Sequence, residues 1–68
     1  MIYEFVIRDR WGGSVYSDEI DMVDGTADDA RMAAIEEYKE YVYTGYDAGD
    51  FYKAESVIEG ITAEVKIK

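Results

Sequence analysis

From Ala27 to Tyr43 the chain carries neither glycine nor proline, and that uninterrupted stretch constrains the fold more than any other feature. Thr26 just ahead of it is a good helix N-cap, and Asp29 three residues on completes a capping-box pattern. Asp28 and Asp29 in the first turn also favour the positive end of the helix dipole. At 100° per residue, Ala27, Ala30, Ala34, Ile35, Tyr38, Tyr41 and Val42 fall on one broad stripe. The three alanines let such a helix lie close to a sheet, with the tyrosines filling the wider end. The opposite side carries Asp29, Glu36 and Glu40, with Glu37 at its margin and Lys39 the lone base nearby. Thr44–Asp50 reads as a loop, with Gly45 a C-terminal cap.

The flanks supply the sheet. Met1–Arg8 alternates, with Tyr3, Phe5 and Ile7 on one face and Glu4 and Arg8 on the other. Asp9–Ser14 is rich in turn formers, and its two glycines allow the positive φ that a tight reversal needs. Val15–Val23 is a second strand, with Tyr16, Ile20 and Met22 inward, Ser17, Glu19 and Asp21 outward, and Asp18 an exception on the apolar face. Ile61, Ala63, Val65 and Ile67 alternate with Thr62, Glu64, Lys66 and Lys68 in a clear closing strand. Tyr52–Ile58 reads either as another strand or as a short helix capped by Asp50 and ended by Gly60. The β-branched Val57, Ile58 and Ile61 favour strand. The expected fold is therefore α+β: an antiparallel sheet of three or four strands with one helix on one face, in the order β-β-α-β or β-β-α-β-β. The second sheet face, bearing Glu4, Arg8, Glu19, Asp21, Glu64 and Lys66, would stay open to solvent.

Sixty-eight residues allow one domain, residues 1–68, with no room for a second core. A chain of this size buries only about 60 % of its unfolded surface, so modest stability is expected. Apolar content of 49 % with ten aromatics argues for a folded core in spite of the high charge. Seven of those aromatics are tyrosines, which suit a thin core and equally suit a binding face; packing is the favoured use. No apolar run approaches the roughly 18–20 residues that span a bilayer, and the N-terminus lacks a basic-then-apolar signal pattern. A cytoplasmic location and no membrane partner are the corresponding expectations.

The chemistry is defined mainly by what is missing. There is no cysteine and no histidine, which excludes disulfides, the common zinc sites and the most frequent general base and activated dyads. Ahead of Gly25 the alternate positions are Asp24, Met22 and Ile20, so an EF-hand loop lacks two ligands. Trp11-Gly12-Gly13-Ser14 precedes no helix, and no G-K-[ST] occurs to hold a phosphate. The expectation is a non-enzyme with no catalytic residue, no metal and no cofactor.

Charge is distributed unevenly. Ser17–Asp50 holds eleven acids against Arg31 and Lys39, whereas the rest of the chain is balanced, so this segment accounts for the whole net charge of −9. Such a local imbalance creates a directional negative field. That field repels nucleic acid and anionic membrane, disfavours direct nucleic-acid contact, and attracts basic grooves on proteins. Acids at i and i+4 of a helix lie about 6 Å apart, and those at i and i+2 of a strand about 6.5–7 Å, intervals comparable to phosphates along a nucleic-acid strand. Asp29, Glu36 and Glu40 on the helix, with Glu37 beside them, and Glu19 and Asp21 on the second strand supply such carboxylates. Trp11 and Tyr46 lie in the two glycine-containing loops, where exposed aromatics anchor interfaces. These eight residues are the expected partner-binding set.

In length, lone-helix order, the acids of Ser17–Asp50 and the missing catalytic residues, the chain resembles the small acidic inhibitors that phages direct against bacterial defence, chiefly anti-CRISPR and anti-restriction proteins. The resemblance implies a protein that blocks a nucleic-acid-binding site or docks on an effector complex in the cytoplasm of a bacterial host, with no chemistry of its own. Asp24-Gly25-Thr26-Ala27-Asp28-Asp29-Ala30, followed by Ala34 and Tyr38, is similar to the segment entering the helix of HicB-type antitoxins. This supplies the alternative: an antitoxin or regulatory partner that binds through its open sheet face or edge, in which case a homodimer is also allowed.

Overall fold

A computed structural model describes residues 1–68. Strand β1 spans Ile2–Arg8 and β2 spans Ser14–Asp21; helix α1 runs Ala27–Thr44, helix α2 Phe51–Ile58, and β3 Thr62–Ile67. The fold is α+β, with an antiparallel sheet in the order β2-β1-β3. Asp9 builds the first reversal: its Oδ1 accepts the N–H groups of Trp11 and Gly13, both at 2.9 Å, while Gly12 takes a φ of +87°. Register shifts between Ile7, opposite Tyr16, and Arg8, opposite Ser14, leaving Val15 as the extra residue of a bulge.

Alternation along β1 is as the sequence predicts. Tyr3, Phe5 and Ile7 are buried, and cross-strand pairing places Tyr16, Asp18 and Ile20 of β2 and Ala63, Val65 and Ile67 of β3 on the same side. Helix α1 lies on that side with Ala30, Ala34, Tyr38 and Val42 buried. Its start is held by the expected capping box: Thr26 N–H donates to Asp29 Oδ2 at 2.9 Å, and Asp29 N–H donates to Thr26 Oγ1 at 3.3 Å. Gly45 caps the other end, its N–H donating to the Val42 carbonyl at 3.0 Å.

Several sequence expectations are corrected. Tyr52–Ile58 belongs to helix α2 and not to a strand, so there are two helices and three strands. Helix α2 forms because Ala54, fully buried, brings it against α1, and because the Phe51 ring stacks on Tyr43 at 4.7 Å. Those tertiary contacts outweigh the weak β preference of Val57 and Ile58. Strand β2 ends at Asp21, leaving Val23 97 % exposed. Tyr41 and Ala27, both expected on the apolar stripe, are exposed, Tyr41 at 61 %, and Asp50 precedes α2 without a side-chain capping bond.

Only nine residues are buried, and the molecule measures 38 × 24 × 15 Å. It is two layers thick, so the outer sheet face and the outer side of the helices are separate surfaces with separate electrostatics.

Candidate functional site

The expected partner-binding acids divide between those two surfaces. Glu19 and Asp21 lie on the open sheet face, in register with Glu4 and Ile2 of β1. The charges on this face are cross-linked: Arg8 Nε to Glu64 at 2.8 Å, Lys66 Nζ to Glu4 at 3.6 Å, and Lys68 Nζ to Glu19 at 2.8 Å. Glu4, Glu19, Asp21 and Glu64 thus share their face with Arg8, Lys66 and Lys68. The rest of the molecule holds the other twelve acids against four bases, and with them nearly all of the net charge.

The helix acids also separate. Asp29 is at the first turn of α1 and is engaged in the capping box. Arg31 pairs with Asp28 beside it. Glu36 faces Lys39 at 4.0 Å. Glu37 and Glu40 take part in no ion pair, and both line a groove of about 660 Å³ at the C-terminal end of α1. Tyrosines form its walls. Tyr16 of β2 lies 5.5 Å from Tyr38 and 4.9 Å from Tyr41, ring centre to ring centre, and Tyr38 lies 6.2 Å from Tyr41. Tyr46 from the following loop completes the rim, 39 % exposed, and no lysine or arginine lines the groove. Trp11, 80 % exposed, borders a smaller neighbouring hollow that shares Tyr38 and Val57 with the groove; the Arg10 guanidinium lies 4.8 Å from its ring centre. The structure therefore gathers Glu37, Glu40 and Tyr46, with Trp11 next door, and leaves Glu19, Asp21, Asp29 and Glu36 elsewhere.

Within the groove the groups polarise one another. The Tyr16 hydroxyl donates to Glu37 Oε2 at 2.9 Å, tying the edge strand to the helix. That bond, with partial burial, pushes the Tyr16 phenol up to about 12 from the ordinary 10. Partial burial raises the Glu37 carboxyl above its usual range; the Tyr16 hydrogen bond pulls the other way, and the Asp18 carboxylate beside it adds to the rise. Burial also raises Tyr38. Asp18, an acid on the helix-facing side of β2, stands beside Glu37 without lining the groove, and its break in the strand's apolar alternation is the sequence signal for it. The sequence pattern puts Tyr16, Tyr38 and Tyr41 in packing positions, while the Glu37–Tyr41 spacing of one helical turn is the signal that pairs a carboxylate with an exposed ring.

The dipole of α1 acts in the same sense. Its C-terminal end, where carbonyls carry partial negative charge, opens on the groove at Thr44 and Gly45, and no basic side chain occupies the last turn. The site thus combines aromatic faces, two carboxylates outside any ion pair and a helix C-terminus, each of which favours a cation. No three carboxylates converge closely enough to hold a metal ion, and no helix is long and apolar enough to cross a membrane. The chain matches no protein-family model, and no curated protein or solved structure proved similar to it.

Proposed function

We propose that this chain is a non-enzymatic binding protein whose helical side occupies a basic groove of a nucleic-acid-handling protein or complex. The observation that carries the reading is the segregation of charge. The sheet face is balanced by cross-strand pairs, whereas the other surfaces hold twelve acids against four bases. An excess of one sign on those surfaces attracts a basic partner and speeds its capture. The acids that carry it are those of α1, chiefly Glu37 and Glu40, with Glu36 only loosely paired to Lys39 at 4.0 Å; Glu19 is held by Lys68 at 2.8 Å. Inhibition of the anti-CRISPR or anti-restriction kind, implied by the resemblance in size, charge and lack of catalytic groups, is one use of such a surface.

The test is capture of partners from a bacterial host lysate at low and high salt, with Glu36→Lys/Glu40→Lys alongside the parent chain. A basic partner retained at low salt, released at high salt and lost by the double variant is expected, with an unchanged circular dichroism spectrum. Undiminished capture by the double variant would remove this surface from the function.

A further inference from the structure

We infer that the tyrosine-lined groove at the C-terminal end of α1 seats one arginine side chain of the partner protein. This inference rests on the helical-side reading above and adds to it a single anchoring contact. Tyr16, Tyr41 and Tyr46 present ring surface around an opening that contains no base, and Glu37 and Glu40, one turn apart on α1, bring carboxylates to it. Neither acid has an ion-pair partner within the chain, although Lys39 lies next to Glu40 in sequence and turns instead toward Glu36.

Two features select guanidinium over ammonium. Its flat, weakly hydrated plane stacks on aromatic faces, and here Tyr41, 61 % exposed and braced by the Tyr16 ring 4.9 Å away, offers such a face. Its fork of N–H donors also spans carboxylates on neighbouring turns, whereas a lysine ammonium is a point charge that leaves the ring surface unused. The negative end of the α1 dipole adds to the attraction without any side-chain rearrangement. Placed at the rim of a charged surface, such a pocket has the composition of an interface anchor: an aromatic-walled seat for one arginine within weaker surrounding contacts.

The experiment is a nuclear magnetic resonance titration of the folded chain with three decapeptides of alternating glycine and arginine, glycine and lysine, or glycine and citrulline. The arginine peptide is expected to bind about threefold or more tighter than the lysine peptide, with the largest shifts at Tyr41, Gly45 and Tyr46. The neutral citrulline peptide should not bind. Tyr41→Ala should bring arginine down to the lysine level, while Tyr41→Phe keeps the preference because the ring face carries it. Tyr41 is 61 % exposed, so its replacement leaves the fold intact, as unchanged amide shifts in β1 and β3 would verify. Glu36→Lys, outside the groove, should weaken both cationic peptides equally. Equal, salt-sensitive affinity for arginine and lysine would overturn the arginine seat but leave the helical-side reading standing. Arginine preference unaffected by salt and by Glu36→Lys would overturn that reading alone, and no binding of either cationic peptide would overturn both.

Discussion

The Tyr16 hydroxyl and the Glu37 carboxylate, 2.9 Å apart, join the edge strand β2 to the helix α1 across an aromatic wall. The phenol keeps its proton because losing it would set two negative charges against each other. That bond, first among the causes and joined by partial burial and the nearby Asp18 carboxylate, pushes the phenol up to about 12. Ultraviolet titration of the folded chain should show one tyrosine ionising about two pH units above the ordinary 10. The step should vanish in Tyr16→Phe and move to lower pH in Glu37→Gln. Linkage then dictates that stability contributed by this tyrosine is complete below pH 10 and is lost as pH rises toward 12.

Glu37 predicts a pH dependence of its own. Its carboxyl is raised above the usual value by partial burial and by Asp18, so the folded chain binds this proton more tightly than the unfolded chain. Stability therefore falls as pH rises from about 4.5, the ordinary glutamate value, through the raised folded value. Glu37→Gln removes that decline while keeping an acceptor for Tyr16. Melting curves of parent and variant should lie closest in acid and diverge toward neutral pH, the variant gaining. Parallel curves would mean that the carboxyl is not displaced.

The capping box gives a prediction independent of charge clusters. Thr26→Ala removes the acceptor of the Asp29 N–H and leaves an orphan donor at the first turn of α1. The cost should be about 1 kcal/mol, which lowers the melting temperature of a domain of this size by roughly 4–8 °C. Thr26→Ser keeps the oxygen and should retain most of the stability. Equal losses in both variants would assign the effect to the threonine methyl group and not to the cap.

What was readable in the sequence divides along local and non-local lines. The alternation of Tyr3, Phe5 and Ile7, the Thr26–Asp29 box and the Ala30–Ala34 spacing of α1 are local patterns, and each appears in the fold. Helix α2 is not local in the same sense: its two turns hold β-branched Val57 and Ile58, and it is fixed by Ala54 against α1 and Phe51 on Tyr43. The site shows the same division. Glu37, Glu40 and Tyr46 could be picked out as candidates, but their convergence with Tyr16 depends on how the hairpin docks against α1. Glu19 looked like an available acid because nothing in its neighbourhood supplies a base. Its partner, Lys68, arrives from 49 positions away once β3 pairs with β1.

Arg10 connects the first turn to the second helix, and its replacement should loosen that helix selectively. The guanidinium Nη2 donates to the Ser56 carbonyl at 2.7 Å, satisfying an acceptor in the last turn of α2 where a cation is also favoured by the helix dipole. No basic side chain within α2 itself occupies that turn. The chain leaves α2 through Gly60 at a φ of +75°, where an added Cβ would stand 3.0 Å from Arg10 Cβ. Arg10→Ala removes the donor but keeps the Cβ, so the close passage is unaltered while the Ser56 carbonyl and the Trp11 ring lose the guanidinium. Amide exchange should then accelerate across Phe51–Ile58 while β1 keeps its protection, and overall stability should fall by about 0.5–1.5 kcal/mol. Gly60→Ala, by contrast, strains the backbone and crowds Arg10, and should cost about 1 kcal/mol or more. Uniform loss of protection in Arg10→Ala, reaching β1 as fast as α2, would show that α2 does not open on its own.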